Sequence, residues 1–192
     1  MTTRSRLRSS VLFSLAAIAM LLLYARIAMP FSLSPGPIAL NYVENTPAIA
    51  TSGMPSRAQF TRIAVEGYGI VVNLAPAGVL GSHDDERELA EGAGLLYFHV
   101  PVDFSAPRGA DYERFAAILG QAGKQRTLVH CQINMRASSF VFLYRVVELG
   151  EDPDKAYADV TRIWTPSIAW ARLLRETLQA RGKRLPLELE AG

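Results

Sequence analysis

A chain of 192 residues, 49% of them hydrophobic, has room for one ordinary domain with its own core. Its 20 basic and 18 acidic residues nearly cancel, and four of the arginines stand before Pro30 in a stretch without acids, leaving 16 against 18 in the remainder. That balance supplies no basic stripe for nucleic acid, and a lone cysteine excludes an internal disulfide.

The first thirty residues stand apart in composition. Arg4, Arg6 and Arg8 precede VLFSLAAIAMLLLY, an uncharged apolar run from Val11 to Tyr24, which Arg26 and Pro30 then interrupt. A basic start followed by such a run is the pattern of a secretory signal or an uncleaved membrane anchor, here residues 1–30. The charges favour an N-in orientation, so the expected location is exported: periplasmic, or membrane-attached and facing the periplasm or exterior. Residues 31–192 are then expected to form a single domain, with a core over about 41–150 and closing helices at 151–182.

Short strands are expected around IALNYV (38–43) and AIAT (48–51), before the turn SGMPS (52–56). Ser56 is placed to cap a helix running to about Glu66, with Phe60, Ile63 and Ala64 on one face. GIVVNLA (69–75) reads as a buried strand. SHDDEREL follows, with Ser82 as a cap and Asp84, Asp85 and Glu86 as acids of a first helical turn, where the helix dipole favours them. GLLYFHVPV (94–102) is the next strand, RGADYERFAAILGQAG (108–123) the next helix, and TLVHC (127–131) a third strand. RASSFVFLYRVVELG (136–150) has helical spacing, and two further helices start at the cap-then-proline pairs Asp152-Pro153 and Thr165-Pro166. Trp164 and Trp170 fall on apolar faces and are expected in the core.

Strands alternating with single helices predict an α/β fold, a mostly parallel central sheet flanked by helices. Ligands bind such sheets beyond the carboxyl ends of the strands, and Cys131 stands at one of those ends. Between Cys131 and a helix starting near Arg136, Gln132, Ile133, Asn134 and Met135 must turn the chain tightly. Amides left without helical partners there, together with the helix dipole, suit an anion or a thiolate. Arg136 can grip a tetrahedral oxyanion through two parallel hydrogen bonds. Asn134 is of a type that tolerates positive φ. Ser138 and Ser139 either offer hydroxyls near the sulfur or serve as small packing residues. His83, His99 and His130 lie in separate segments without ligand spacing, so no metal and no cofactor is expected. His99 reads as a hydrogen-bonded core histidine.

VHCQINMRASS resembles the phosphate-binding loop of cysteine-dependent protein tyrosine and dual-specificity phosphatases. With TSGMPS, GIVVNL and FHVPVDFSAP ahead of it in that order, the stretch from Asn41 to Leu149 resembles the small bacterial phosphatase-like domains, including those fused to β-lactamase-like hydrolases. The resemblance implies a dual-specificity-phosphatase-like fold and hydrolysis of phosphate monoesters, on a protein or a small molecule, through a phosphocysteine. It implies Cys131 as nucleophile, Arg136 as phosphate clamp, His130 as a group tuning the thiolate from behind, and Asn134 at the family's loop glycine. His130, Gln132, Ile133, Asn134, Met135, Arg136 and Ser138 would then surround the substrate. A leaving group needs a proton, and Asp103, between Pro101 and Pro107 after the preceding strand, is the expected acid, with Asp111 as fallback. The loop from Cys131 to Arg136 is one residue shorter than in the tyrosine phosphatases and matches rhodanese-type sulfurtransferases. Sulfur transfer through a persulfide, and a non-catalytic phosphate-binding module, stay open beside the phosphatase.

Overall fold

The computed structural model describes residues 36–190; the expected signal or anchor at 1–30 lies outside the described residues. Five strands, β1 (Val43–Glu44), β2 (Ile49–Ser52), β3 (Tyr68–Asn73), β4 (Leu96–His99) and β5 (Arg126–His130), form one sheet in the order β1-β2-β5-β3-β4. Only β1 runs antiparallel to its neighbour; every other pair is parallel. β3 and β5 lie inside the sheet and are buried along nearly their whole length, which explains their continuous apolar runs. β5 is the central strand, and His130 pairs with Ser52 on one side and Asn73 on the other. Cys131 therefore leaves the middle of the sheet's carboxyl edge.

The helices are α1 (Gln59–Val65), α2 (Glu86–Gly92), α3 (Gly109–Gln121), α4 (Met135–Val147), α5 (Pro153–Thr161), α6 (Ile168–Ala180) and α7 (Leu187–Glu190). One face of the sheet packs Ala50, Val71 and Leu128 against Phe60 and Ile63 of α1 and Ala90 of α2. The other packs Val72 and Val129 against Phe115 of α3, Phe140 of α4 and Trp170 of α6. α4 is buried from Arg136 through Val146, as befits a helix walled by the sheet and by other helices. Among the described residues no helix is long and apolar enough to cross a membrane.

Several ends differ from expectation. Ser56 does not cap α1 with its side chain; instead Gln59 Oε1 accepts from the Ser56 amide at 2.6 Å. Ser82 is not a cap either, since α2 begins at Glu86 after Asp85. Asp152 does cap α5, accepting from the amides of Asp154 and Lys155 with Pro153 in the first turn. Past Pro166 the chain stays extended until Ser167, so α6 starts later than the Thr165-Pro166 pair suggested. β4 is an edge strand, and His99 on it is exposed, though its Nε2 lies 2.7 Å from the Ala75 carbonyl oxygen.

Candidate functional site

The segment from Cys131 to Arg136 is built by backbone contacts with the turn after β2. The Cys131 amide donates to the Ser52 carbonyl at 3.3 Å, and the Met54 amide donates to the Gln132 carbonyl at 3.1 Å. Gly53 lies so close that an added Cβ would stand 3.0 Å from the Gln132 carbonyl oxygen and 3.1 Å from that of Leu40. Glycine is needed there for close approach. Asn134 takes φ 76° and ψ 1°, the left-handed conformation expected of it. Its buried side chain donates to the Asn41 carbonyl at 2.5 Å and to Thr51 Oγ1 at 3.1 Å, while Asn41 Nδ2 donates to the Ile133 carbonyl at 3.0 Å. Two asparagines, both at positive φ, thus clasp the loop to the chain ahead of β1.

α4 opens directly from this clasp. The Ser138 amide donating to the Asn134 carbonyl begins its ladder, so the amides of Met135, Arg136 and Ala137 precede any intrahelical acceptor. They and the dipole of a 13-residue helix make the loop electropositive. Ser138 and Ser139 both return their hydroxyls to the Met135 carbonyl, at 3.1 and 2.9 Å, which is the packing role. Gln132 reaches sideways to the Leu80 carbonyl at 3.3 Å, and Ile133 is exposed at the rim.

Arg136 is only 7% exposed. Its Nε donates to the Val102 carbonyl at 2.9 Å and its guanidinium lies 5.2 Å from the centre of the Phe104 ring. Its terminal nitrogens have no hydrogen-bond partner among the described residues. Arg136, Asp103, Phe104, Ser105 and Arg108 line an open cavity of about 530 Å³ between Pro76 and Pro101. Asp103 is exposed there and accepts from the Ser105 amide at 2.8 Å and the Ser105 hydroxyl at 2.7 Å. Those two bonds, with Arg136 adding its positive charge, hold its carboxyl below the usual carboxylate range. Asp111 is buried and bound to Arg108 and Arg114, at 3.1 and 2.6 Å, so the fallback acid is a structural ion-pair residue.

Cys131 itself is fully buried. It shares an apolar cluster with Leu74, Val102 and Ala137, rather than facing solvent as a nucleophile at an open strand end was expected to. The cause is that the strands' hydrogen bonding runs on past their ends: Leu74 donates to the His130 carbonyl and Val102 to that of Leu74, folding two aliphatic segments alongside the sulfur. His130, also fully buried, meets Glu86 of α2. His130 Nε2 and Glu86 Oε1 stand 2.7 Å apart without the alignment of a hydrogen bond. Glu86 Oε2 accepts from Asn73 Nδ2 at 2.8 Å.

The site therefore joins Arg136 and Asp103 in one cavity, with Cys131 enclosed at the root of the loop that carries Arg136. Three participants escaped the sequence reading. Phe104 and Arg108 were signalled only by lying near Asp103 between prolines. Glu86 was hidden among the acids of a helix start. Trp170 is core, as expected, but its Nε1 also donates to the Phe104 carbonyl at 2.9 Å and steadies the Asp103 segment. No group of three or more His, Cys, Asp or Glu side chains among the described residues could hold a metal ion.

No protein-family model matches the chain. Two beta-lactamase hydrolase-like proteins of Xylella fastidiosa are 30% identical over 112 residues, 57% of this chain and 26% of theirs. The chain thus spans about a quarter of the length of the curated relatives it matches. A crystallised DUF442 phosphatase candidate from Shewanella putrefaciens CN-32 is 32% identical, with a TM-score of 0.69 over 74% of this chain and 93% of that one. Tk-PTP in its active form gives a TM-score of 0.63 at 19% identity, over 72% of this chain and 97% of its own. A kinase-associated phosphatase whose catalytic-site cysteine was replaced by serine gives 0.64 at 14%, over 79% and 100%. These last two share the fold. By the extent of its likeness to the Shewanella protein, and by the order of its motifs, the chain belongs to the bacterial DUF442 family of phosphatase-like proteins, built on the cysteine-dependent phosphatase fold.

Proposed function

We propose that this chain is a phosphoric monoester hydrolase that works through a phosphocysteine at Cys131. The observation that carries the reading is Arg136: a nearly buried guanidinium, held through Nε and lying over the Phe104 ring, with both terminal nitrogens unpaired at a helix start whose first amides precede any intrahelical acceptor. A cation that gives up water for so few partners is set to receive an anion. In the first step the Cys131 thiolate attacks phosphorus in line, the bond to the leaving oxygen breaks, and protonated Asp103 supplies that oxygen with its proton. Loop amides and Arg136 hold the three remaining phosphoryl oxygens. In the second, Asp103 as carboxylate takes a proton from water, the water oxygen bonds to phosphorus, and the S–P bond breaks to return thiolate and release inorganic phosphate. The substrate is a phosphorylated protein or small molecule, and a signal or anchor at residues 1–30 would place the activity outside the cytoplasm.

The full burial of Cys131 favours one competing reading, an anion-binding module in which Arg136 and Arg108 hold phosphate without turnover. Steady-state assay of an aryl phosphate separates the two. Cys131→Ser is expected to lower kcat by about a thousandfold or more while leaving phosphate affinity nearly intact. Arg136→Lys should instead weaken phosphate binding, since lysine cannot form the paired bonds. A wild-type chain that binds phosphate but hydrolyses nothing supports the module. Cyanide-dependent consumption of thiosulfate, without phosphate release, would point to sulfur transfer.

A further inference from the structure

The two steps above leave Arg108 without a task, and its position is an unfavourable one for an arginine. Arg108 is the residue from which α3 starts, in extended conformation, and no side chain caps that helix. Helix starts ordinarily carry Ser, Thr, Asp or Asn, whose oxygens accept from the first amides, and a cation there opposes the positive end of the dipole. The Arg108 carbonyl accepts from Asp111 and Tyr112, while the amides of Gly109 and Ala110 have no acceptor among the described residues. Asp111, 1% exposed, answers part of the charge: Arg108 Nε and Nη2 donate to its two oxygens at 3.2 and 3.1 Å. The same carboxylate accepts from Arg114 at 2.6 Å, so two arginines share one acid. One positive charge is left in excess at the helix start. Arg108 keeps 70% of its side chain exposed, and its Nη1 has no hydrogen-bond partner among the described residues.

This helix start does not stand alone. Arg108 shares the cavity of about 530 Å³ with Arg136, whose terminal nitrogens are unpartnered although the residue is nearly buried. The one acid on the cavity wall is Asp103. When Asp103 is protonated, as the first step requires, two guanidiniums line the cavity and no carboxylate does. Pro76, Pro101 and Phe104 supply apolar wall for a carbon skeleton. The volume is that of a small-molecule site, roughly 300–1,000 Å³ in general. We propose that Arg108 and the start of α3 form a second anion subsite, and that the substrate is a small bisphosphate with one phosphoryl group at Arg136 and the other on Arg108. The proposal rests on the phosphatase reading for the phosphoryl group that reacts. A phosphate suits the subsite better than a carboxylate, because its three terminal oxygens can take Arg108 Nη1 and two amides together. Arg108 is thus a specificity residue and takes no part in breaking the bond.

The test compares kcat/KM for resorcinol bisphosphate and phenyl phosphate in the full-length chain, for wild type, Arg108→Gln and Arg108→Lys. The wild type is expected to favour the bisphosphate about tenfold, chiefly through KM. Arg108→Gln should bring the ratio to within about twofold, and Arg108→Lys should restore part of it. A wild-type ratio near one would overturn the proposal. So would a ratio that Arg108→Gln leaves in place, the result expected if Arg108 touches the reacting phosphate and serves both substrates alike. Preference for a phosphotyrosyl peptide with a neighbouring glutamate, without preference for the bisphosphate, would overturn it in favour of an acidic peptide. Should Arg108→Gln fail to fold, modification of the wild type by phenylglyoxal decides: the bisphosphate should protect Arg108 more than phenyl phosphate does, and equal protection overturns the subsite. Calorimetry on Cys131→Ser keeps the two readings apart. Tighter binding of the bisphosphate, lost when Arg108→Gln is added, with no hydrolysis by the wild type, removes the phosphatase reading and keeps the subsite. Hydrolysis of both substrates with equal efficiency removes the subsite alone.

Discussion

Asp103 carries the acid–base half of the proposed reaction, and its surroundings make a specific demand of it. A general acid must be protonated when the leaving group departs, yet two Ser105 hydrogen bonds stabilise the Asp103 carboxylate. Turnover of a poor leaving group should therefore be greatest at acid pH and decline as pH rises through the lowered titration of Asp103. Ser105→Ala removes the largest cause of that lowering, so the declining limb of kcat is expected to move to higher pH; a limb that stays in place would mean that Asp103 is not the acid. Residues of this kind were legible in part. Cys131, Arg136, Asn134 and Asp103 announced themselves by motif and by place relative to strand ends. Glu86 did not, because its neighbours in sequence describe a helix start, and only the register of β5 against β3 and the packing of α2 bring it under His130.

The element on which the site turns is the junction of β5 with α4. Asn134 holds a left-handed backbone, which costs a side chain with a Cβ roughly 1–2 kcal/mol, and repays it with two hydrogen bonds of its own amide. Asn134→Gly relieves the backbone but loses the bonds to Asn41 and Thr51; Asn134→Ala loses both. Thermal unfolding should rank wild type above Asn134→Gly above Asn134→Ala, with the alanine variant about 2 kcal/mol less stable. An alanine variant as stable as the wild type would show that the clasp does no work. Strands and helices were legible in kind and order, because apolar runs and helical spacing survive in any context. Their ends were not. Ser56 and Ser82 looked like caps, but the competing turns were decided by contacts distant in sequence: His83 Nε2 lies 3.0 Å from the Pro55 carbonyl oxygen, and Arg57 pairs with Asp85.

At the scale of the molecule, a central parallel strand delivers the loop from Cys131 to Arg136, α4 supplies the dipole, and the aromatic group Phe104, Trp164 and Trp170 braces the Asp103 segment against the far helices. The alternation of strands and helices predicted this architecture, and the Shewanella relative shares it. The enclosure of Cys131 was not predictable from a strand-end position alone, since it depends on how far hydrogen bonding continues beyond β3 and β4. The central claim is that this enclosed sulfur becomes the acceptor of a phosphoryl group. Rapid acid quench of the enzyme during turnover of an aryl phosphate, followed by peptide mass spectrometry, tests it most directly. One phosphoryl group is expected on the peptide containing Cys131; hydrolysis that proceeds with Cys131 never modified would rule out a phosphocysteine.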